Sequence, residues 1–593
     1  MGIFILPGTV LLLLLSLARG GPPLHPALFS SPLASALAVC AGLTLFLLPA
    51  AAPVRRRMDR LLFQSRRPVL YSVLFFGTAA AAAAISFFIF DTLPYIDDGV
   101  AAQFQARIFS RGSITLPLPA QAEFFELFGI LGARADLGHW AGMYPPGWPA
   151  LLVPGVLIGT SWIVNPLLGG ALVLTVAELG RELHGERTGR IAGLLTAASP
   201  ALLILAGTHL SHTATALFGA LCLLSVFRLT RTGLMRHGFA AGIFWGAAFL
   251  CRPLDALLLG ALFALVPLFR LKESVAAWRG VLLALLLSIL SAGILAAFQN
   301  TVTGNPLTPG HTIGMARLGG FGFIPLGEGH AHTPARGAET TLKRLRAVND
   351  HLSGWPIPFL FVALVPFWRR ERRKRDLFLL ACPLLLAAVF FFYWYWEAYF
   401  PGRYLASAFP MLLVLAARGL VLLGKGPLGP AFHALAAASL LFTAASALPW
   451  EFRALERNAG DVEQTLPRVV EAYGIEGAVV FMDSVTPGVE DLERLNDFYA
   501  TGFLRNSLDL DDDVLFARNS RNENHLLIES RPGKDYYLYR YHRDSRRALL
   551  YRLVPRGREF CLYPVEPLET ELLVTDAGPV VQDGSCREGG QPP

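Results

Sequence analysis

The stretch that decides the fold is an apolar run that ends in acidic residues. Residues 69–90 read VLYSVLFFGTAAAAAAISFFIF, and residues 91–98 read DTLPYIDD. At about 1.5 Å per residue, a helix over the apolar run is long enough to cross roughly 30 Å of hydrocarbon. Carboxylates beside lipid are costly to place, because they lose water without an assured partner. Asp97 and Asp98 are therefore the first candidates for a functional site at the mouth of a membrane span.

The composition of the whole chain is that of an integral membrane protein. Its 593 residues are 53% hydrophobic and 16% charged, with a mean hydropathy of +0.47, whereas soluble proteins carry roughly 25% charged residues. The net charge of +7 could indicate nucleic-acid binding, but Lys and Arg between apolar runs are typical of the cytoplasmic ends of spans. We therefore expect a lipid bilayer, and no nucleic acid, as a partner.

The basic residues predict the orientation of the spans. The positive-inside rule assigns the cluster from Arg55 to Arg67 to the cytoplasm, which puts Asp97 and Asp98 outside. Later basic groups follow every second apolar run, as parity requires. We predict an all-α polytopic fold of about thirteen spans, with a small α/β C-terminal domain on the outer side. The predicted spans lie near residues 1–18, 31–53, 69–90, 160–180, 191–208, 213–229, 238–251, 256–269, 280–298, 357–368, 377–396, 404–423 and 430–448.

Two of these predictions leave an alternative open. No Lys or Arg precedes the run at 1–18, which favours a retained span over a cleaved signal peptide. The short runs 238–251 and 256–269 meet at Arg252-Pro-Leu-Asp255, which could instead be a break in a re-entrant segment. The resulting division of the chain is 1–90, 91–147, 148–298, 299–356, 357–449 and 450–593.

Three of those segments, 91–147, 299–356 and 450–593, are predicted to lie outside. The first should open with an amphipathic helix, Gly99 to Ser110, lying on the membrane surface with Asp98 at its N-cap. The second is expected to be a mobile lid without regular structure. The tail should contain a helix at 461–473 and strands at 478–482, 514–516, 525–528 and 536–541. Cys561 and Cys586 in this tail could form one disulfide in an oxidising compartment.

Several motifs together resemble the GT-C superfamily of glycosyltransferases that use polyprenyl-phosphate sugars. They are Asp97-Asp98, Gln105-Ala-Arg107 followed by Gly112, Tyr144-Pro-Pro-Gly-Trp148 and Gly402-Arg-Tyr404. The likeness is closest to bacterial relatives of protein O-mannosyltransferases and lipid A aminoarabinose transferases, and strongest over residues 91–260. It implies a bacterial inner-membrane enzyme with the catalytic acid in the first outside loop. Its donor would be a polyprenyl-phosphate sugar, and its acceptor a hydroxyl or amine of a protein, lipid or glycan.

Sugar transfer requires a base for the acceptor and cations for the departing phosphate. By its match to the leading acidic position of the family, Asp97 is the predicted base in a single inverting displacement of a hexose or pentose. Asp98 is predicted to orient the acceptor or to help hold a divalent metal. The alternative for Asp98 is a helix cap that accepts a backbone N–H, which stabilises a helix by roughly 1 kcal/mol.

The donor phosphate is predicted to be held from the outer side. Arg403 leads this set, because a planar guanidinium can give a phosphate two parallel hydrogen bonds. Arg252 could equally pair with Asp255 in a structural turn. Relatives often have a lysine just before the Pro-Pro motif, whereas Met143 and Tyr144 stand here, so the grip on phosphate should differ. The full predicted set is Arg403, Tyr404, Arg252, Tyr144, Gln105 and His212.

A metal site is not predicted from the histidines. His330 and His332, two residues apart in a loop, do not have the fixed geometry of a zinc site. Two other functions remain open at this point: a translocase or transporter of lipid-linked sugars, and a catalytically silent relative whose tail recruits a partner.

Overall fold

The fold is known here from a computed structural model. It describes residues 63–132, 137–268, 275–314, 320–327, 330–352, 359–368, 374–395, 402–425, 465–485, 499–520, 523–542, 547–556 and 559–565, with Glu397, Phe400, Phe452 and Leu455. The predicted spans near 1–18, 31–53 and 430–448 lie outside these residues, as does Cys586 with its predicted disulfide to Cys561.

Helices make up most of the described chain before residue 425, both in the apolar bundle and in the two segments predicted to lie outside. In chain order they are α1 (Arg67–Phe88), α2 (Asp97–Ser110), α3 (Gly147–Leu157), α4 (Val164–His184), α5 (Glu186–Ala197), α6 (Pro200–Gly207), α7 (His212–Thr232), α8 (Met235–Cys251), α9 (Pro253–Leu268), α10 (Val275–Thr303), α11 (Gly310–Gly314), α12 (Pro334–His351), α13 (Phe359–Trp368), α14 (Lys374–Phe390) and α15 (Phe409–Leu423).

Five stretches of the described chain are long and apolar enough to cross a bilayer: Arg67–Phe88, Ser161–His184, His212–Thr232, Ala277–Thr303 and Arg403–Leu423. These correspond to the predicted spans at 69–90, 160–180, 213–229, 280–298 and 404–423. The predicted span at 191–208 corresponds to the pair α5 and α6, which together are long and apolar enough to cross a bilayer but meet at an angle of 56°. Ser199 and Pro200 start the second helix, because the serine oxygen accepts from Leu202 N and proline has no N–H to continue the first.

The basic groups that parity assigned to the cytoplasm meet at one end of the bundle. Arg181 and Arg228 both contact Glu178, while Arg67 and Arg190 both contact Glu186. Arg67 begins α1, whereas the acidic pair follows the other end of the same 22-residue helix. The basic cluster and Asp97-Asp98 therefore lie at opposite ends of one membrane-length helix.

The first outside segment folds around α2 with a three-stranded sheet. Its strands are β1 (Leu116–Pro117), β2 (Ile130–Leu131) and β3 (His139–Gly142), with β3 in the centre. The prediction that α2 lies on the membrane surface is wrong, because Phe104, Gln105 and Ile108 are buried together with most of the helix. The 14-residue α2 is covered by protein on the sides that the amphipathic pattern assigned to lipid and to water.

The second outside segment has regular structure, contrary to the prediction. It contains the short α11, a hairpin of β4 (Pro325–Gly327) and β5 (His330–Ala331), and the 18-residue α12. Thr333 caps α12 by accepting a hydrogen bond from Arg336 N. The many glycines in residues 304–329 favoured the prediction of an irregular loop. The second half of the segment nevertheless forms a helix that has an N-cap and buries one face.

A five-stranded sheet occupies the described part of the tail. It is formed by β6 (Ala478–Val485), β7 (Val514–Arg518), β8 (Asp535–His542), β9 (Arg547–Arg556) and β10 (Glu559–Pro564), in the order β10-β9-β8-β6-β7. Strand β6 runs parallel to β7 and β8, while β8, β9 and β10 form an antiparallel meander. The accompanying helices are α16 (Thr465–Ala472), α17 (Tyr499–Arg505) and α18 (Asn524–Ser530). The predicted strand at 525–528 is therefore wrong, since a short apolar run does not distinguish a buried strand from a helix.

The sheet of the tail shares one hydrophobic core with the first outside segment. Phe104 of α2 and Trp140 of β3 both pack against Phe503 of α17, with ring centroids 5.1 and 5.7 Å apart. Helix α10 also reaches this region, because His139 Nε2 lies 2.8 Å from the carbonyl oxygen of Val302. Helix α2 is thus held between the membrane helices and the tail.

Candidate active site

The acidic pair lies in the first turn of α2. The helix begins at Asp97, and Ile96 occupies the N-cap, so the predicted capping role of Asp98 is wrong. The helix starts two residues earlier than its pattern suggested, which places both carboxylates near the positive end of the helix dipole. Asp97 is buried, with 7% of its surface exposed.

Asp98 is held between a phenol and a guanidinium. Tyr144 donates its hydroxyl hydrogen to Asp98 Oδ1 at 2.5 Å, and Arg403 Nη2 lies 3.6 Å from Asp98 Oδ2. Burial raises the pKa of Tyr144 well above its ordinary value, and Asp98 and Asp97 raise it further. Tyr144 therefore remains a neutral hydrogen-bond donor, and all three side chains lie at the end of the bundle opposite the basic cluster.

A glycine in the Pro-Pro motif brings distant segments to this point. A Cβ at Gly147 would lie 2.6 Å from Leu250 C and 2.8 Å from Cys251 N, so only glycine lets α3 begin against the end of α8. Arg252 follows directly on that chain. The next residue of the motif, Trp148, is buried and donates from Nε1 to His209 O at 2.7 Å. The motif thus supplies both Tyr144 and the packing that places Arg252.

The ring of Tyr404 is the centre of a cluster of cations. The guanidinium carbons of Arg252, Arg344 and Arg403 lie 5.8, 5.6 and 5.6 Å from its centroid. Phe390 stacks on the same ring with centroids 4.9 Å apart. Cations near the face of an aromatic ring are attracted by its quadrupole, so Tyr404 offsets part of the repulsion between these arginines.

Arg403 keeps hydrogen-bonding capacity although it is buried. Only 4% of its surface is exposed, and its Nε and Nη1 have no hydrogen-bond partner in the described part of the chain. Its 3.6 Å separation from Asp98 is too long for a strong hydrogen bond. Buried N–H groups of an arginine are costly to leave unpaired, so this guanidinium suits an anionic ligand.

His212 completes this side of the site. It starts α7, is 3% exposed, and neither ring nitrogen has a hydrogen-bond partner among the described residues. The charges of Arg252 and Arg403 act on its ring. His212 can therefore donate to, or accept from, a ligand bound at the arginines.

Two predicted phosphate ligands have structural partners. Arg252 Nε donates to Asp255 Oδ2 at 3.0 Å, and Ser407 donates to the same oxygen at 2.5 Å. Arg252 therefore belongs both to the turn with Asp255 and to the cation cluster around Tyr404. Gln105 donates to Ile114 O and accepts from Gly142 N, each at 2.8 Å. The amide nitrogen and the amide oxygen of Gln105 are therefore both bonded to the backbone of segment 91–147, and Gln105 holds β3 against α2.

Sequence reasoning missed three polar residues near the site. Arg344 and Glu397 form a buried ion pair. His311 lies on α11, which packs on Met143 closely enough that a Cβ at Gly310 would be 2.7 Å from Met143 O. Burial lowers the pKa of His311, and the charges of Asp98 and Arg252 act on it in opposite directions. The sequence indicated only that His311 is a histidine in segment 299–356, which is predicted to lie outside.

The divalent metal that Asp98 could help to hold has no matching donor set in the described residues. No three His, Cys, Asp or Glu side chains there converge on one point. His332 Nε2 lies 3.0 Å from Phe391 O and serves the packing of the hairpin. We therefore derive no step of the chemistry through a metal.

Residues 155–292 match a sequence profile described as dolichyl-phosphate-mannose-protein mannosyltransferase. The match agrees with the glycosyltransferase resemblance that the motifs indicated, although the motifs that carried that resemblance lie outside the matched range. The matched range is less than half of the chain and covers α4 to α9 and parts of α3 and α10. It contains His212 and Arg252, while the acidic pair precedes it. No curated protein sequence gives a match.

Three solved structures are similar to this chain at low sequence identity. ArnT from Cupriavidus metallidurans bound to undecaprenyl phosphate is 13% identical, covers 86% of this chain and 99% of its own, and has a TM-score of 0.49. AglB from Archaeoglobus fulgidus in complex with an inhibitory peptide and dolichol-phosphate is 13% identical, with 79% and 69% covered and a TM-score of 0.39. The mycobacterial arabinofuranosyltransferase AftD is 14% identical, with 78% and 35% covered and a TM-score of 0.39. None of these TM-scores reaches 0.5, so the residue roles below are drawn from contacts within this chain.

Proposed function

We propose, from the match of residues 155–292 to protein mannosyltransferases, that this chain is an inverting glycosyltransferase. It would move a hexose or pentose from a polyprenyl-phosphate donor to a protein, lipid or glycan acceptor. The reaction would occur at the outer face of a bacterial inner membrane crossed about thirteen times, with the α/β tail outside. The observation that carries this proposal is Arg403, a buried cation whose Nε and Nη1 have no hydrogen-bond partner among the described residues and whose Nη2 lies 3.6 Å from Oδ2 of Asp98.

The proposed reaction is one displacement at the anomeric carbon. Asp97 takes the proton of the acceptor hydroxyl or amine while the acceptor atom bonds to the anomeric carbon from the face opposite the phosphate. The bond from that carbon to the phosphate oxygen breaks, and the electron pair leaves with the polyprenyl phosphate. A positioned base contributes about 10²- to 10⁴-fold to such a rate.

The leaving phosphate would be stabilised by the cation cluster. Arg403 has free donors for it, Arg252 and His212 border the same space, and Tyr404 holds the cations together. Donors fixed before the reaction stabilise developing charge without reorganising. Asp98 contacts Arg403 on one side and Tyr144 on the other, so its role would be to orient these two groups. Asp97 is then the carboxylate that acts as the base.

The experiment separates the two halves of the site. Undecaprenyl phosphate is the probe for binding to the purified full chain, and transfer of labelled sugar from polyprenyl-phosphate donors in detergent reports chemistry. We expect Asp97→Asn to abolish transfer with binding retained, and Arg403→Gln to weaken binding at least tenfold. An active Asp97→Asn protein would reject the base. Equal binding by wild type and Arg403→Gln would reject the phosphate site.

The detergent assay also distinguishes the alternatives. A translocase of lipid-linked sugars moves its substrate between two leaflets, and detergent removes the leaflets. Transfer in detergent therefore identifies an enzyme, whereas wild-type protein that binds undecaprenyl phosphate and transfers no sugar from any donor would favour a translocase or a silent relative.

A further inference from the structure

We infer that Arg344 and Glu397 form a positioning pair that holds Arg403 and Tyr404 in place for the lipid phosphate. The inference rests on the proposed function, and it assigns a role to the second outside segment, because Arg344 belongs to α12. Neither residue belongs to the predicted site, and neither would touch the reacting atoms.

Arg344 is bound on three sides by one stretch of chain. It forms an ion pair through Nε with Glu397 Oε1, and it donates from Nη1 to Phe390 O at 2.7 Å and from Nη2 to Tyr395 O at 2.5 Å. Arg344 and Glu397 side chains are 2% and 0% exposed. All five donors of a guanidinium lie in one plane, so these contacts fix Phe390, Tyr395 and Glu397 to the face of α12.

Glu397 passes this constraint on to the cation cluster. Its second oxygen, Oε2, accepts a hydrogen bond from Tyr404 N at 3.3 Å. Tyr404 N belongs to the 3₁₀ turn Arg403–Ala408 that presents Arg403. One carboxylate therefore connects α12 to the peptide link between the two residues predicted to grip the phosphate.

The backbone here needs such an external hold. Glu397 has φ of +68° and Gly402 has φ of +86°, so both lie in the left-handed region, where only the glycine is at ease. A left-handed residue with a side chain persists when its surroundings over-determine it. The three bonds of Arg344 hold Glu397 in this backbone conformation. Leaving it would break a buried ion pair and leave an uncompensated charge, which is costly.

The contacts of Tyr404 point to the same role. The guanidinium carbon of Arg344 lies 5.6 Å from the Tyr404 ring, on which Phe390 also stacks. Arg344 thus contacts the ring directly and the backbone through Glu397. With the pair intact, the Arg403 N–H groups stay in place without a ligand and lose little freedom on binding, which favours affinity.

The test uses conservative variants of the full chain in detergent. Glu397→Gln and Arg344→Lys should each raise the Kd for undecaprenyl phosphate about tenfold and raise the donor KM more than they lower kcat. Hydrogen exchange of the amides at 402–408 should accelerate in both. The control is Arg346→Gln, two residues along α12, where an exposed arginine pairs with Asp350 and neither readout should change.

The outcomes separate this inference from the function it rests on. If Arg403→Gln weakens binding while folded Glu397→Gln and Arg344→Lys keep the wild-type Kd and exchange rates, the positioning pair is rejected and the proposed function stands. If wild type fails to bind undecaprenyl phosphate, the proposed function is rejected, and the pair with it. A variant that does not fold is replaced by Glu397→Asp, which keeps the charge and shortens the reach to Tyr404 N. Its Kd must then rise for the inference to hold.

Discussion

At the scale of single residues, the hydrogen bond from Tyr144 to Asp98 is the sharpest target. A hydrogen bond to a charged group contributes roughly 1.5–3 kcal/mol, so Tyr144→Phe should lower kcat/KM about 10- to 100-fold. Tyr71→Phe is the matched control, because Tyr71 donates to Glu178 at 2.8 Å at the other end of the bundle. Equal kcat/KM values for the two variants would show that the Tyr144 bond is not used in transfer.

The same phenol makes a prediction about pH. Burial, Asp98 and Asp97 raise the pKa of Tyr144 above its ordinary value of 10.0. A raised pKa means that its protonated form is fully present below pH 10 and is lost only as the pH rises through the higher folded value. The pH profile of kcat/KM should therefore have no descending limb from Tyr144 below pH 10. A limb below that pH in wild type that disappears in Tyr144→Phe would contradict this.

At the scale of elements, the junction between α3 and α8 depends on Gly147. Gly147→Ala would force a Cβ against the backbone of Leu250 and Cys251, and overpacking of this kind costs about 1–3 kcal/mol. We expect a lower melting temperature and a marked loss of transfer, because Arg252 moves with the end of α8. Gly77→Ala on α1 is the control, since a Cβ there meets nothing within 4 Å. Gly147→Ala with wild-type melting and turnover would show that the junction tolerates displacement.

Elements are also where the sequence was most informative and where it failed. Charge parity put Asp98 and Arg403 on the same side of the membrane although they are far apart in sequence, and the structure brings Arg403 Nη2 to 3.6 Å from Asp98 Oδ2. The apolar pattern of α2 could not show that the tail covers its second face. The Arg344–Glu397 pair could not be predicted from the sequence. Its two residues are 53 positions apart, and their contact depends on a left-handed backbone conformation at Glu397.

At the scale of the whole molecule, the tail should be required for activity through α2. Arg107 of α2 donates to Leu504 O at 3.3 Å and to Asn506 O at 2.7 Å, which fixes the helix of the acidic pair to α17. Arg107→Gln should lower the melting temperature and reduce kcat in the same protein. Arg111→Gln removes only an exposed pair with Asp509 and is the control. If Arg107→Gln reduces stability and leaves kcat intact, the tail supports folding alone.

Helix α10 gives the bilayer itself an influence on this site. Its 29 residues span about 44 Å at ~1.5 Å per residue, more than the roughly 30 Å of hydrocarbon, so it must tilt or protrude. Its outer end is bonded to His139 on β3, the strand that Gln105 braces against α2. A change in acyl-chain length that alters the tilt of α10 would therefore displace β3, which supports the helix that carries Asp97 and Asp98. Transfer rates in proteoliposomes should pass through an optimum in lipid thickness.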